Sequence, residues 1–125
     1  MSTDYRRTIT EHIDPFGGAE IIISADPRDP EAGNASHSYL LHREGKPSCG
    51  ELHFQHGPRG DAGLTGLTDA AVLAVVADRL ASFQAGPFAC ESNARALAHV
   101  RDAIDILRSR ATERKARGVL GKNLK

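Results

Sequence analysis

From Leu67 to Leu120 the apolar positions recur with helical spacing, and the run is interrupted once, at Gln84-Ala85-Gly86-Pro87. Past the break, Leu97, Val100, Ile104, Leu107 and Ala111 alternate three and four apart. That is a heptad seam, the pattern of a helix that packs lengthwise against others. Before the break, Val72, Leu73, Val76, Leu80 and Phe83 fall on one face of a first helix. Thr68 is placed to cap it, Asp69 suits the positive end of its dipole, and Leu67 with Val72 can form a hydrophobic staple. Gly86 is a candidate for the C′ position, and Pro87 stops the helix. The second helix is expected from about Ala89 or Cys90 to about Arg117, where Gly118 ends it. The spacing predicts an antiparallel helical hairpin.

Upstream the period changes to that of strands. Ala19 to Ala25 is β-branched and bounded by glycines and by Asp26-Pro27, Ser36 to His42 reads as a second strand, and Glu51 to His56 alternates Leu52 and Phe54 with polar neighbours. Residues 1 to 18 are polar and read as a lead-in, with Asp14-Pro15-Phe16-Gly17-Gly18 as its turn. Asp26 to Asn34, with Pro27, Pro30 and Gly33, is a polar loop whose one cation is Arg28. Glu44-Gly45-Lys46-Pro47 reads as a turn, and Gly57 to Gly66 as a Gly-rich linker. Three sequential strands with short connections imply an antiparallel sheet, and one this small needs a helix or another subunit on its apolar face. The expected fold is α+β: a sheet region with linker over residues 1–66, a hairpin and dimerisation region over 67–121, and a basic tail over 122–125.

Composition sharpens this in four ways. A length of 125 residues is that of one small domain, for which oligomerisation would bury surface the chain cannot bury alone. No apolar run approaches the roughly 20 residues of a membrane span, and the first residues lack the apolar core of a signal peptide, so the expected location is the cytoplasm. Cys49 and Cys90 are too few for a disulfide framework. The chain is neutral overall, but residues 108–125 hold seven cations against Glu113, a net of +6, which leaves −6 for the rest. An acidic body with a basic tail points to an anionic partner or to contact between subunits.

The candidate chemistry is sparse. Cys49, His53 and His56, with His37 and His42 on the neighbouring strand, have the residue types of a zinc site. However, His53 and His56 are separated by an odd number of strand positions and point to opposite faces, and no second Cys or CxxC lies nearby, so no metal is expected in this chain. Cys90 at a helix N-terminus could be a nucleophile, but His99 lies about two and a half turns further along and cannot reach it. The carboxylates are dispersed, and no catalytic residue is assigned. The glycines before Thr68 lack both the G-K-[ST] ending of a phosphate loop and the dinucleotide spacing, although a helix N-terminus behind glycines favours an anion. Asn93 on the seam either sets register or meets a ligand. Phe83 either packs in the core or offers a stacking platform for a base. Arg110 faces away from Arg108 and Arg117 and is of the type that stacks on bases or grips phosphate.

Several segments together resemble a known family. Phe54-Gln55-His56-Gly57-Pro58, Gly63-Leu64-Thr65-Gly66-Leu67-Thr68, Arg79 through Cys90, and Arg110-Ala-Thr-Glu-Arg114 leading to Gly118-Val119-Leu120-Gly121 are similar to the first Thoeris anti-defence family of phage proteins. The hairpin is also similar to that of the anti-CBASS cyclic-oligonucleotide sponges. The resemblance implies a non-enzymatic sponge in the host cytoplasm, with no cofactor, that binds a cyclic ADP-ribose isomer made by bacterial TIR proteins and keeps it from the defence effector. It implies ligand contacts at Phe83, Asn93 and Arg110, and a further one from Arg28 in the loop after the first strand. Some family members form hexamers and bind cyclic trinucleotides through basic residues near the hairpin turn. Here Ala85 stands after Gln84 and Arg59 is the nearest remaining cation, so that second activity is not expected.

Geometry adds a condition. Asn93 and Arg110 are 17 residues apart on one helix, a distance of about 25 Å. Both can hold one molecule only if Arg110 comes from a second subunit whose helix runs antiparallel, which predicts a homodimer with two symmetric sites. The competing readings are a protein-interaction module built on the hairpin and a sponge for cyclic oligonucleotides. Binding to DNA or RNA polymers is disfavoured by the zero net charge and the few aromatics.

Overall fold

The computed structural model describes residues 7–12, 21–43, 48–56 and 63–116. Four strands, β1 (Arg7–Ile9), β2 (Ile21–Ala25), β3 (Ser38–Arg43) and β4 (Ser48–His53), form an antiparallel sheet in sequential order. Two helices follow, α1 (Asp69–Gln84) and α2 (Glu91–Ala116), so the α+β architecture is as the sequence predicts. Strand β1 is an addition to it. Within the polar lead-in, three residues pair Ile9 with Ile23 and Arg7 with Ala25, and a strand that short has no periodicity of its own. The turns at 14–18 and 44–47, Arg59, the end of the second helix at Arg117-Gly118 and the tail 122–125 lie outside the described residues.

The strand register explains which face is apolar. Ile9 stands opposite Ile23 and Ile23 opposite Leu41, while Ala25 pairs with Tyr39 and Tyr39 with Leu52. Side chains alternate across a strand, so these rows share one face. Phe54 extends it, edge-on to the Tyr39 ring at 5.5 Å and 83°. The face borders an open concavity of about 650 Å³ that also reaches Leu67 and Asp69. Among the described residues, no strand comes within 8 Å, Cα to Cα, of either helix. Sheet and hairpin are joined instead by backbone: Leu67 N–H donates to His53 O and Gln55 N–H donates to Leu67 O, both at 2.9 Å, around a parallel bridge between Phe54 and Leu67.

That junction changes the reading of the Gly-rich segment. Its described part, from residue 63, is pinned rather than hanging free. Gln55 Nε2 donates to Gly63 O at 2.6 Å, Thr65 N–H donates to Gln55 Oε1 at 3.0 Å, and His56 N–H donates to Thr65 Oγ1 at 2.9 Å. Gly66 is required by close approach, because a Cβ there would stand 2.7 Å from the Phe54 carbonyl and from His53 O.

In the hairpin the heptad positions are the less exposed ones. Leu97 is buried, and Asn93, Val100, Ile104, Leu107 and Ala111 are half-buried, where α2 packs on α1. On α1, Ala77 is buried, whereas Val76 is 41% exposed. Thr68 caps α1 as expected, its Oγ1 accepting from Ala71 N–H at 3.2 Å. The other end differs from expectation. Ala85 is the C-cap at φ −87°, ψ −1°, and Gly86 is absent from the positive-φ residues, so the chain leaves α1 in a right-handed turn without a left-handed glycine. No large side chain is fully buried among the described residues, and Val75 and Ile106 are each 69% exposed on the helices. A single copy of this chain leaves apolar surface open on both its layers.

Candidate functional site

Phe83 closes the last turn of α1, half-buried, and the chain then turns through residues 85–90 into α2. Gln84 ties the turn together: its Oε1 accepts from Cys90 N–H at 2.9 Å. Cys90, exposed and unbridged, caps α2 through its sulfur, which accepts from Asn93 N–H at 3.4 Å. The same bond holds Asn93 in the first turn. Phe83 and Asn93 therefore flank one hairpin turn, each on a defined helical position. The guanidinium carbon of Arg79 lies 5.1 Å from the Phe83 ring centroid, one helical turn back. Val75, Asp78, Arg79, Ser82 and Phe83 line an open hollow along this side of α1. Arg79 is a neighbour that the sequence analysis did not assign; its spacing of four from Phe83 was the available signal.

Arg110 sits elsewhere. It is exposed near the C-terminal end of α2, which is a single unbroken helix from Glu91 to Ala116. The rise of a helix puts Arg110 about 25 Å from Asn93 within one chain. The two residues are not brought together by the fold of a single copy.

Arg28 lies in the loop between β2 and β3, exposed, and that loop is rigidly built. Asp26 Oδ1 accepts from the backbone of His37 at 2.9 Å and of Ser38 at 3.2 Å, and its carbonyl accepts from Ser36 Oγ at 2.7 Å. Arg7 Nη2 donates to the same Ser36 hydroxyl at 2.8 Å, which links β1 to the loop. Asp29 Oδ1 caps the short helical turn Pro30–Ala32 through Glu31 N–H at 3.0 Å, and Gly33 and Asn34 take left-handed φ of 74° and 62° to bring the chain back. Arg28 is thus presented on a braced loop, in a different part of the molecule from the hairpin turn.

The histidines do not assemble as the Cys49-His53-His56 spacing would place them. His53 turns to Glu51 Oε2 and Ser38 Oγ, each at 3.1 Å. β4 ends at His53, so strand alternation does not govern His56, which goes instead to Asp29. No described helix is long and apolar enough to cross a membrane.

Comparison with known proteins agrees with the hairpin geometry. Residues 51–110, from β4 to the arginine late in α2, match the model of the Acb2/Tad1 hairpin domain. Over 70 residues the chain is 37% identical to Thoeris anti-defense 1 of Bacillus phage SBSphiJ7, an alignment covering 56% of this chain and 49% of that relative. The chain thus spans about half the length of the curated relative it matches. The hairpin segment of residues 51–110 is thus similar to that of the Acb2/Tad1 proteins, and the likeness to the Thoeris anti-defence family runs through it.

Proposed function

We propose that this protein is a phage anti-defence protein that binds a cyclic ADP-ribose-type signalling nucleotide and sequesters it in the host cytoplasm without breaking it. The observation that carries the reading is the family match over the hairpin together with the positions of Phe83 and Asn93 at its turn. In this reading the adenine stacks on Phe83, and Asn93 hydrogen-bonds the nucleoside. Arg79 already covers part of the ring, so the base takes the other face or displaces the guanidinium. The diphosphate takes a cation from Arg28 or Arg110, whose planar fork suits two phosphate oxygens at once.

The functional unit is a homodimer in which two hairpins pack antiparallel. That arrangement carries Arg110 of the partner subunit toward Phe83 and Asn93, and closes two identical sites. The open apolar residues of the hairpin, Val75 and Ile106 among them, support a second copy as the covering surface. Assembly of dimers into hexamers would leave this site unchanged.

The test is calorimetry with cyclic ADP-ribose isomers, followed by heat denaturation and mass spectrometry of the released ligand. Saturable binding of one nucleotide per chain and recovery of the intact cyclic species are expected. Absence of binding to every isomer, or recovery of linear ADP-ribose, would refute the reading.

A further inference from the structure

Three side chains of metal-ligating type, from separate segments, converge beside the sheet, none of them among the candidate nucleotide contacts although Arg28 precedes Asp29 in the chain. Asp29 Oδ2 stands 3.2 Å from His56 Nε2 and 3.5 Å from His37 Nε2. The two imidazoles stack at 4.2 Å between centroids and 14° between planes. All three ligand atoms lie within 4.8 Å of one another.

The supports of this cluster come from the backbone. Asp29 spends Oδ1 on the cap of Pro30–Ala32, which fixes the carboxylate and leaves Oδ2 directed at the histidines. His37 is held by Asp26 through its own N–H, and its carbonyl accepts from Phe54 N–H at 2.7 Å. His56 is held by Thr65. The His37 side chain is only 11% exposed, and its buried Nε2 makes no hydrogen bond, the Asp29 carboxylate standing off at 3.5 Å. A buried, unpartnered ring nitrogen is a costly arrangement unless something binds it.

We propose that Asp29, His37 and His56 form a binding site for a divalent transition metal, zinc(II) being the ion that two imidazoles and one carboxylate suit best. Tetrahedral coordination at ligand distances of about 2.0–2.1 Å separates ligand atoms by about 3.3 Å. Both separations from Asp29 Oδ2, at 3.2 and 3.5 Å, are already close to that value. Closing the third requires the imidazoles to tilt out of their stack so that both Nε2 lone pairs aim at one point. This site was not legible from Cys49, His53 and His56, because it uses a loop aspartate and a histidine beyond the end of β4. Its structural consequence is a clasp: an ion there fastens the β2–β3 loop, with Arg28 one residue away, to the Gln55-His56 segment.

The experiment is a zinc titration of the full chain after chelator treatment, in competition with a chromophoric chelator, with cobalt(II) absorption as a second readout. One zinc per chain, a raised Tm, and intense cobalt d–d bands of four-coordinate type are expected. Asp29→Asn retains an oxygen for the Glu31 cap, and His56→Ala removes a side chain that is 62% exposed, so both variants should fold. Each removes or weakens a direct ligand and should lower zinc affinity by at least about 100-fold, the upper end of what loss of an outer-shell partner costs. His53→Ala, which removes a neighbouring imidazole outside the cluster, should leave it unchanged. Zinc binding no stronger than magnesium binding, or zinc binding that survives both Asp29→Asn and His56→Ala, would overturn the proposal.

Discussion

Between α1 and α2 the adhesive is side-chain packing along one seam, with Leu97 at 7% exposure and Ala77 at 9%. Around the sheet it is hydrogen bonding: Asp26, Gln55 and Thr65 bind backbone groups of segments ten or so residues away, while the apolar rows of Ile9, Ile23, Tyr39, Leu41 and Leu52 stay open on one side. The contrast lies in what each kind of interaction can specify. Packing sets the axial register of two helices and so fixes positions on one relative to the other, such as Phe83 on α1 relative to Asn93 on α2. Hydrogen bonding fixes the conformation of individual loops, which is what presenting Arg28 or converging Asp29, His37 and His56 requires.

The contrast can be broken most forcefully at Leu97. Leu97→Ala removes the most buried large residue of the hairpin and should cost about 3 kcal/mol in urea denaturation. An effect near zero would mean that the seam is not what holds the helices. Next, Gly66→Ala sets a methyl group against the Phe54 carbonyl and should cost about 2 kcal/mol. Hydrogen exchange should localise that loss to the join between sheet and hairpin. If the proposed site is correct, Phe83→Ala lowers nucleotide affinity by about 1–3 kcal/mol, the range of a base stacked on an aromatic ring, with little change in Tm. Thr68→Ala deletes the cap of α1 and should cost about 1 kcal/mol. Smallest of all, Asp105→Ala breaks only an exposed pair with Arg108, 3.5 Å apart, and should move stability by no more than about 0.5 kcal/mol.

The hairpin was legible in the sequence because each of its determinants is local or periodic: Thr68 caps by identity, the seam repeats, and Pro87 keeps the first helix from continuing. Even there Gly86 misled, since the Gln84–Cys90 hydrogen bond lets the chain turn without a left-handed residue. The sheet region was less legible. β1 exists through the register of its neighbour β2. Gly66 reads as linker glycine, although its role is a close approach to a strand end far away in sequence. The Asp29, His37 and His56 cluster depends on two loop conformations and on where β4 stops, none of which has a period. Arg28 was legible as the loop's cation, but the hydrogen bonds that brace its loop were not.

The proposed ligand site, built from residues of two chains, is open to a direct test by subunit complementation. Phe83→Ala and Arg110→Ala proteins, each defective alone, are mixed, unfolded and refolded together, and titrated with a cyclic ADP-ribose isomer. If the site is shared across an antiparallel dimer, each mixed dimer contains one site with both residues intact. Random pairing then restores about a quarter of the tight sites of the unsubstituted protein. No restored tight binding, with mixed dimers shown to be present, would contradict the shared site and place Phe83 and Arg110 in separate functions.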